Sequence, residues 1–319
     1  MKQLAGAEAG MTVAVVSDNR TYDTMHHACM VLHGNEIDFI ALHYPTVLQR
    51  EMKRLPSIYH SVLAQADICL TMFTEAAPNT HFRTQVVGAA MQSGCKVLHM
   101  PGIDSEIVSM CADAEYADVG RRVVHYAELL TLGREVEIHT RDTSGKTHKL
   151  ECLIEERIGH PDGCPIDFGE VMNFPTGEAY IAPIEDSATG TIALNGSIPS
   201  HVLEDEAYVL RFENGVLQFP KNPPSEMPLR GLLETISQAA ALDEGRSAIL
   251  GEFGLGCNSS FERLTGREIV DEKALGTAHI GVGDNEALGG KNCNARVHLD
   301  LVFYPDRILI DGVAVSLDY

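Results

Sequence analysis

The stretch EVEIHTRDTSGKTHKLECLI, residues 135–154, is where the chain changes its grammar. Two alternating segments, 135–140 and 147–154, flank the turn Asp142-Thr143-Ser144-Gly145, an arrangement that predicts an antiparallel hairpin. Upstream the pattern is different. Short apolar runs at 12–16, 38–42, 67–73 and 96–100 alternate with longer stretches of helical period, which predicts a parallel sheet covered by helices. Residues 21–32 carry Met25, Ala28, Cys29, Val31 and Leu32 on roughly one face, with Gly34 placed to stop the helix. Downstream, strands are expected at 179–184 and 191–194. Asn214-Gly215 and Asp311-Gly312 sit between alternating segments as type I′ hairpin turns do. A helix over 228–242 would bury Leu232, Leu233, Ile236, Ala239 and Ala240. The expected architecture is an α/β N-terminal domain, residues 1–133, followed by an α+β C-terminal domain, residues 134–319.

Composition narrows the range of partners. The chain has 319 residues, 24 Lys plus Arg and 45 Asp plus Glu, for a net charge of −21. That charge repels phosphate backbones and anionic lipid, so neither nucleic acid nor a membrane surface is an expected partner. Eight cysteines are scattered without a C-x-x-C pair, which argues against a thiolate zinc site or a disulfide framework. Cys69 and Cys95 fall inside apolar runs, as buried reduced thiols do. The opening MKQLAGAEAG has no apolar signal core, and nowhere do eighteen apolar residues run together. A soluble cytoplasmic protein acting on a small molecule or peptide is the expectation.

The chemistry concentrates in the second half. His298-Leu299-Asp300 lies in an expected strand over 296–304, and residues two apart on a strand share a face. Exposed strands also alternate polar residues. Here, however, the inward face would carry His298, Asp300 and Val302, and a buried charged pair calls for a partner such as a metal. The run ALGTAHIGVG, residues 274–283, sets His279 alone among apolar residues and glycines. Such a histidine is either a hydrogen-bonded core residue or a ligand. Gly281 and Gly283 leave room beside it for a backbone or a bound group. ILGEFGLG, residues 249–256, places Glu252 in similar surroundings, where an unpaired carboxylate is costly. Finally, the turn NFPTGE, residues 173–178, delivers Glu178 to the head of a strand. Together the four segments supply two histidines and three carboxylates, a donor set that suits zinc, cobalt, manganese or ferrous iron. Five ligands exceed what one open catalytic ion takes, so two ions sharing carboxylates are the natural arrangement.

The order N-x-P-x-G-E (173–178), G-E-x-G-x-G-x-N (251–258), D-E-K-x-x-G-T-x-H-I (271–280), G-G-x-N (289–292) and H-x-D (298–300) resembles the aminopeptidase T family of metallopeptidases. The likeness spans roughly residues 135–315. It implies two divalent ions held by Glu178, Glu252, His279, His298 and Asp300, a bridging water as nucleophile, Glu178 or Glu252 as proton acceptor, and a homodimer. Two departures bear on the substrate. Asp284-Asn285-Glu286-Ala287-Leu288 is short and lacks the tyrosine that the peptidases carry there, and the N-terminal region is shorter.

Those departures bring the chain closer to a second group, similar to 2,5-dihydroxypyridine 5,6-dioxygenase, a non-haem Fe(II) ring-cleaving enzyme. The spacing from Gly283 to Asn292 and on to His298 and Asp300 fits that group. Its ferrous triad needs two histidines and one carboxylate. The resemblance implies a histidine where this chain has Glu252, so the ligand set here is the peptidase one. Asn258 and Asn292 are candidates to orient ligands or substrate, or turn residues. His81, after Ala76-Ala77-Pro78-Asn79-Thr80, follows an expected parallel strand, whose carboxyl end is where ligands gather.

Overall fold

The computed structural model describes residues 1–49, 52–74, 80–222 and 224–317. The chain separates into two compact units, Met1–Ala117 with Gly163–Thr176, and Asp118–Asp162 with Gly177–Tyr319. The sequence expectation drew a single cut at 133/134. The actual division is interleaved because the strand Val171–Asn173 returns to the first unit and pairs in parallel with Lys96–Pro101. The helix Tyr116–Leu132 belongs almost wholly to the second unit, where Gly159 lies against the Ala127 carbonyl and Leu130.

In the first unit, Thr12–Ser17, Asp38–His43, Ile68–Phe73 and Lys96–Pro101 form the expected parallel sheet, joined by Val171–Asn173. Ile68–Phe73 is buried at every residue, as a central strand covered on both faces must be. The helix Tyr22–Gly34 buries Met25, Cys29 and Leu32 and ends at Gly34. Val31, grouped with these residues on one face in the sequence, is exposed. Cys69 and Cys95 are buried free thiols, and burial pushes the Cys95 thiol up to about 11.

The second unit is built on two antiparallel seven-stranded sheets. The hairpin that opened the reading is there, Glu135–Arg141 against Thr147–Leu153. Both dipeptide turns have positive φ at each residue, Asn214 at 49° and Gly215 at 79°, Asp311 at 49° and Gly312 at 77°, as type I′ turns require. The helix Met227–Leu242 starts at the residue before Pro228 and buries Leu229, Leu232, Leu233, Ile236 and Ala239. An α/β unit and an α+β unit are thus both present. Among the described residues no helix is long and apolar enough to cross a membrane.

Candidate metal centre

Four neighbouring strands of one sheet carry the five residues singled out in the sequence. In order across the sheet they are His298–Phe303, Ala278–Gly283, Leu250–Gly256 and Glu178–Ile181. The register shows why the glycines matter. Asp300 faces Gly281 and His298 faces Gly283. Glu252 also faces Gly281, His279 faces Gly254, and Glu178 faces Gly256. Residues paired across an antiparallel ladder project from the same face with Cβ atoms roughly 5 Å apart. Each acidic or imidazole side chain therefore has a glycine for its cross-strand neighbour, and the ligands lean into the space so created. A Cβ on Gly254 would lie 2.2 Å from His279 Nε2. One on Gly281 would lie 2.7 Å from Glu252 Cβ and 2.9 Å from Asp300 Oδ1.

Glu252 is the hub. Its Oε2 is 3.0 Å from His298 Nε2, while its Oε1 is 3.4 Å from His279 Nε2. Glu178 Oε2 approaches the same His279 nitrogen at 3.4 Å, and Asp300 Oδ1 lies 3.4 Å from His298 Nε2. Two potential seats result, Glu178–Glu252–His279 and Glu252–His298–Asp300, each with ligand atoms within 4.8 Å of one another. The side chains of Glu178 and Glu252 are 7 % exposed and that of His279 is sealed, whereas His298 keeps 32 % of its side chain open. The His298 side is thus the mouth.

The residues present fit a divalent cation. Asp300 Oδ1 is buried without a hydrogen bond, with His298 Nε2 as its neighbour at 3.4 Å, so it keeps acceptor capacity for a cation. His298 has Nδ1 2.6 Å from the carbonyl of Asp284. Donation of that N–H orients the ring with Nε2 facing the seat, where it would ligate once a metal replaced its proton, the usual support of a ligating histidine. His279 differs, for its buried Nδ1 has no partner. Burial opposes charge on all these groups, but opposite charges outweigh it. The His279 and His298 imidazoles hold the Glu252 carboxyl below its ordinary range, and Asp300 with Glu252 raises His298 well above the usual histidine value. Oxygen and nitrogen donors without thiolate suit zinc, cobalt, manganese or ferrous iron.

Two participants escaped the sequence reading. Lys273 is fully buried, with Nζ 2.9 Å from Glu178 Oε1 and a second hydrogen bond to Glu272 Oε1. Burial would lower this lysine, but Glu178 and Glu272 hold it well above its normal value. The D-E-K triplet was visible in the chain, yet nothing in its spacing tells that a cation turns inward. Asp284 is the other, because it acts through its backbone carbonyl. Of the orienting candidates, Asn292 Nδ2 donates to the carbonyls of Gly283 (2.6 Å) and Arg246 (2.9 Å), bracing the loop beside His298. Asn258 accepts from the Ser260 amide and hydroxyl as a turn residue does. His81 is exposed on the helix Thr80–Gln92, 2.7 Å from Gln85, and residues 76–79 before it lie outside the described residues. In the first unit a separate cavity of about 440 Å³ is lined mainly by Val31, Leu70, Met72, Leu98, Met100 and Phe174. Its wall is mostly apolar, whereas the clustered carboxylates and imidazoles lie on the glycine-lined sheet.

No protein-family model matches the chain, and no curated protein matches it. Solved structures do. A 2,5-dihydroxypyridine dioxygenase from Pseudomonas putida KT2440 aligns over 98 % of this chain and 92 % of its own, with TM-score 0.71 and 16 % identity. Wild-type AmpT from Thermus thermophilus aligns over 99 % of this chain and 97 % of its own, with TM-score 0.63 and 12 % identity. The fold is shared with both proteins to which the sequence motifs pointed.

Proposed function

We propose that the chain is a metal-dependent hydrolase, aminopeptidase-like, acting on a peptide or small amide. The observation that carries this reading is Glu252, a buried carboxylate whose two oxygens are divided between His279 and His298. A carboxylate so placed bridges two seats, the arrangement suited to hydrolysis by metal-activated water. Glu178, Glu252, His279, His298 and Asp300 would hold zinc, cobalt or manganese, two ions at full occupancy. The metal's contribution when bound is to acidify a water and polarise the scissile carbonyl. Glu178 or Glu252 would accept the proton from that water, since both carboxylates border the centre. The open side at His298 admits the substrate, and a nearby carboxylate would receive its amino group. This reading includes a homodimer and a cytoplasmic setting, the latter suggested by eight thiols without a C-x-x-C pair.

A second reading is an Fe(II) ring-cleaving dioxygenase. What favours it is that His279 and His298 flank Glu252, giving two imidazoles and one carboxylate, together with the fold shared with the dihydroxypyridine enzyme. Metal analysis of anaerobically purified protein, then aminoacyl amides and hydroxypyridines assayed with oxygen-uptake monitoring, separates the two. Zinc, cobalt or manganese with amide cleavage supports the hydrolase, and ferrous iron with oxygen uptake overturns it. Glu252→Ala should abolish amide hydrolysis and metal uptake together; unchanged hydrolysis would sink the shared site. Light scattering on the eluting protein reads the dimer.

A further inference from the structure

The two seats that share Glu252 are unequally prepared. On the His298 side the imidazole is locked by the Asp284 carbonyl, Asp300 Oδ1 is buried and faces His298 Nε2 at 3.4 Å without a hydrogen bond, and the Asp300 amide is anchored 2.8 Å from Glu268 Oε1. On the other side Glu178 has already given one oxygen to Lys273, at 2.9 Å. The third member there, His279, has no acceptor at Nδ1, and its Nε2 lies 3.4 Å from both Glu252 Oε1 and Glu178 Oε2, so the carboxylates draw the ring proton to the nitrogen that would have to ligate a metal.

We propose that Lys273 takes the place of a second cation, so that the centre holds one tightly bound divalent ion in the Glu252–His298–Asp300 seat and leaves Glu178 an uncoordinated carboxylate beside it. The inference rests on the metal-dependent reading above and departs from it at one point: Lys273 stands in for the second ion, and Glu178 is not a ligand. A lysine with no exposed surface sits within hydrogen-bond distance of the very carboxylate that a second ion would need. A divalent ion on the free oxygen of Glu178 would stand a few ångströms from that ammonium, in a region with little water to screen the repulsion. The ammonium cannot retreat, for Glu272 holds its other side. Lysine and metal therefore compete for one role, neutralising Glu178, and the covalently attached cation wins.

The test is metal stoichiometry on the full chain. Protein dialysed against micromolar Zn²⁺, and separately Mn²⁺, is analysed for bound metal, with Mn²⁺ paramagnetic resonance to distinguish a single ion from a coupled pair. The unaltered chain should hold one ion and show no coupling. Glu178→Gln should still hold one, and Lys273→Asn, which removes the cation but keeps a polar side chain, should rise to two. Two coupled ions in the unaltered chain, or loss of the single ion in Glu178→Gln, would overturn the proposal while leaving a metallohydrolase intact. If Lys273→Asn does not fold, the first two measurements decide. No metal in the unaltered chain would instead remove the metal-dependent reading itself.

Discussion

Gly281 stands between Glu252 on one neighbouring strand and Asp300 on the other, paired with both across the ladder. The two acidic side chains are brought to a common point because the residue separating them has no side chain. A three-residue row across the sheet, carboxylate, glycine, carboxylate, is thereby the floor of the proposed ion seat.

Gly281→Ala should damage this floor directly. The added Cβ would meet Glu252 Cβ at 2.7 Å, Asp300 Oδ1 at 2.9 Å and His298 Cε1 at 3.0 Å, so three side chains must shift together. Overpacking of this kind costs about 1–3 kcal/mol. We expect a lower urea midpoint and weaker zinc uptake in titration. A variant that binds zinc like the unaltered chain would show that the seat lies elsewhere.

Asn292→Ala tests the support behind His298. The lost side chain donates to the Gly283 and Arg246 carbonyls, and Gly283 is the cross-strand partner of His298. Leaving buried acceptors unpaired costs about 1–3 kcal/mol. Removal of an outer support typically weakens a metal site by about 10- to 100-fold. Competition with a coloured chelator reads the second effect, and chemical denaturation the first.

His99 should make the first unit sensitive to acid. Burial and the Arg83 guanidinium lower this histidine to about 4, and its Nδ1 is 2.7 Å from the Thr71 hydroxyl. An unfolded histidine titrates near 6.5. Between those values the unfolded chain takes up a proton that the folded chain refuses, so stability is full above about pH 6.5 and falls as the pH drops towards 4. The loss amounts to about 2–3 kcal/mol. Urea midpoints at pH 7.5 and 4.5 should converge for His99→Gln relative to the unaltered chain; equal pH dependence in both would refute the assignment.

Gly231→Ala serves as a contrast to Gly281→Ala. Gly231 lies on the exposed side of the helix Met227–Leu242, and a Cβ there meets nothing within 4 Å. Alanine should stabilise the helix by about 0.5–1 kcal/mol through the entropy it removes from the unfolded chain. Thermal unfolding should shift upward, with zinc uptake unchanged.

Much of the fold was legible because it rests on local chemistry. Alternation at 135–154 determined a hairpin, Asn214-Gly215 and Asp311-Gly312 determined two more, and apolar runs determined a parallel sheet in which Ile68–Phe73 is buried throughout while the edge strand Asp38–His43 is largely exposed. The segment 163–176 was not legible as part of the first unit. Val171–Asn173 is only three residues long and its partner strand begins 75 positions earlier, a pairing that no local pattern encodes.

The sequence by itself singled out the candidate ligands, two histidines and three carboxylates in glycine-rich or alternating segments where an unpaired charge is expensive. The tertiary structure decided what surrounds them. Strand register set every candidate ligand opposite a glycine, and this depends on pairings as distant as Glu178 with Gly256, 78 residues apart. Folding also turned Lys273 inward onto Glu178 and gave His298, but not His279, a carbonyl to hold its outer nitrogen. Whether a charged side chain points to solvent or into a neighbouring strand is fixed by contacts distant in sequence. That is why the donor set could be read from the chain, while the inequality of its two seats could not.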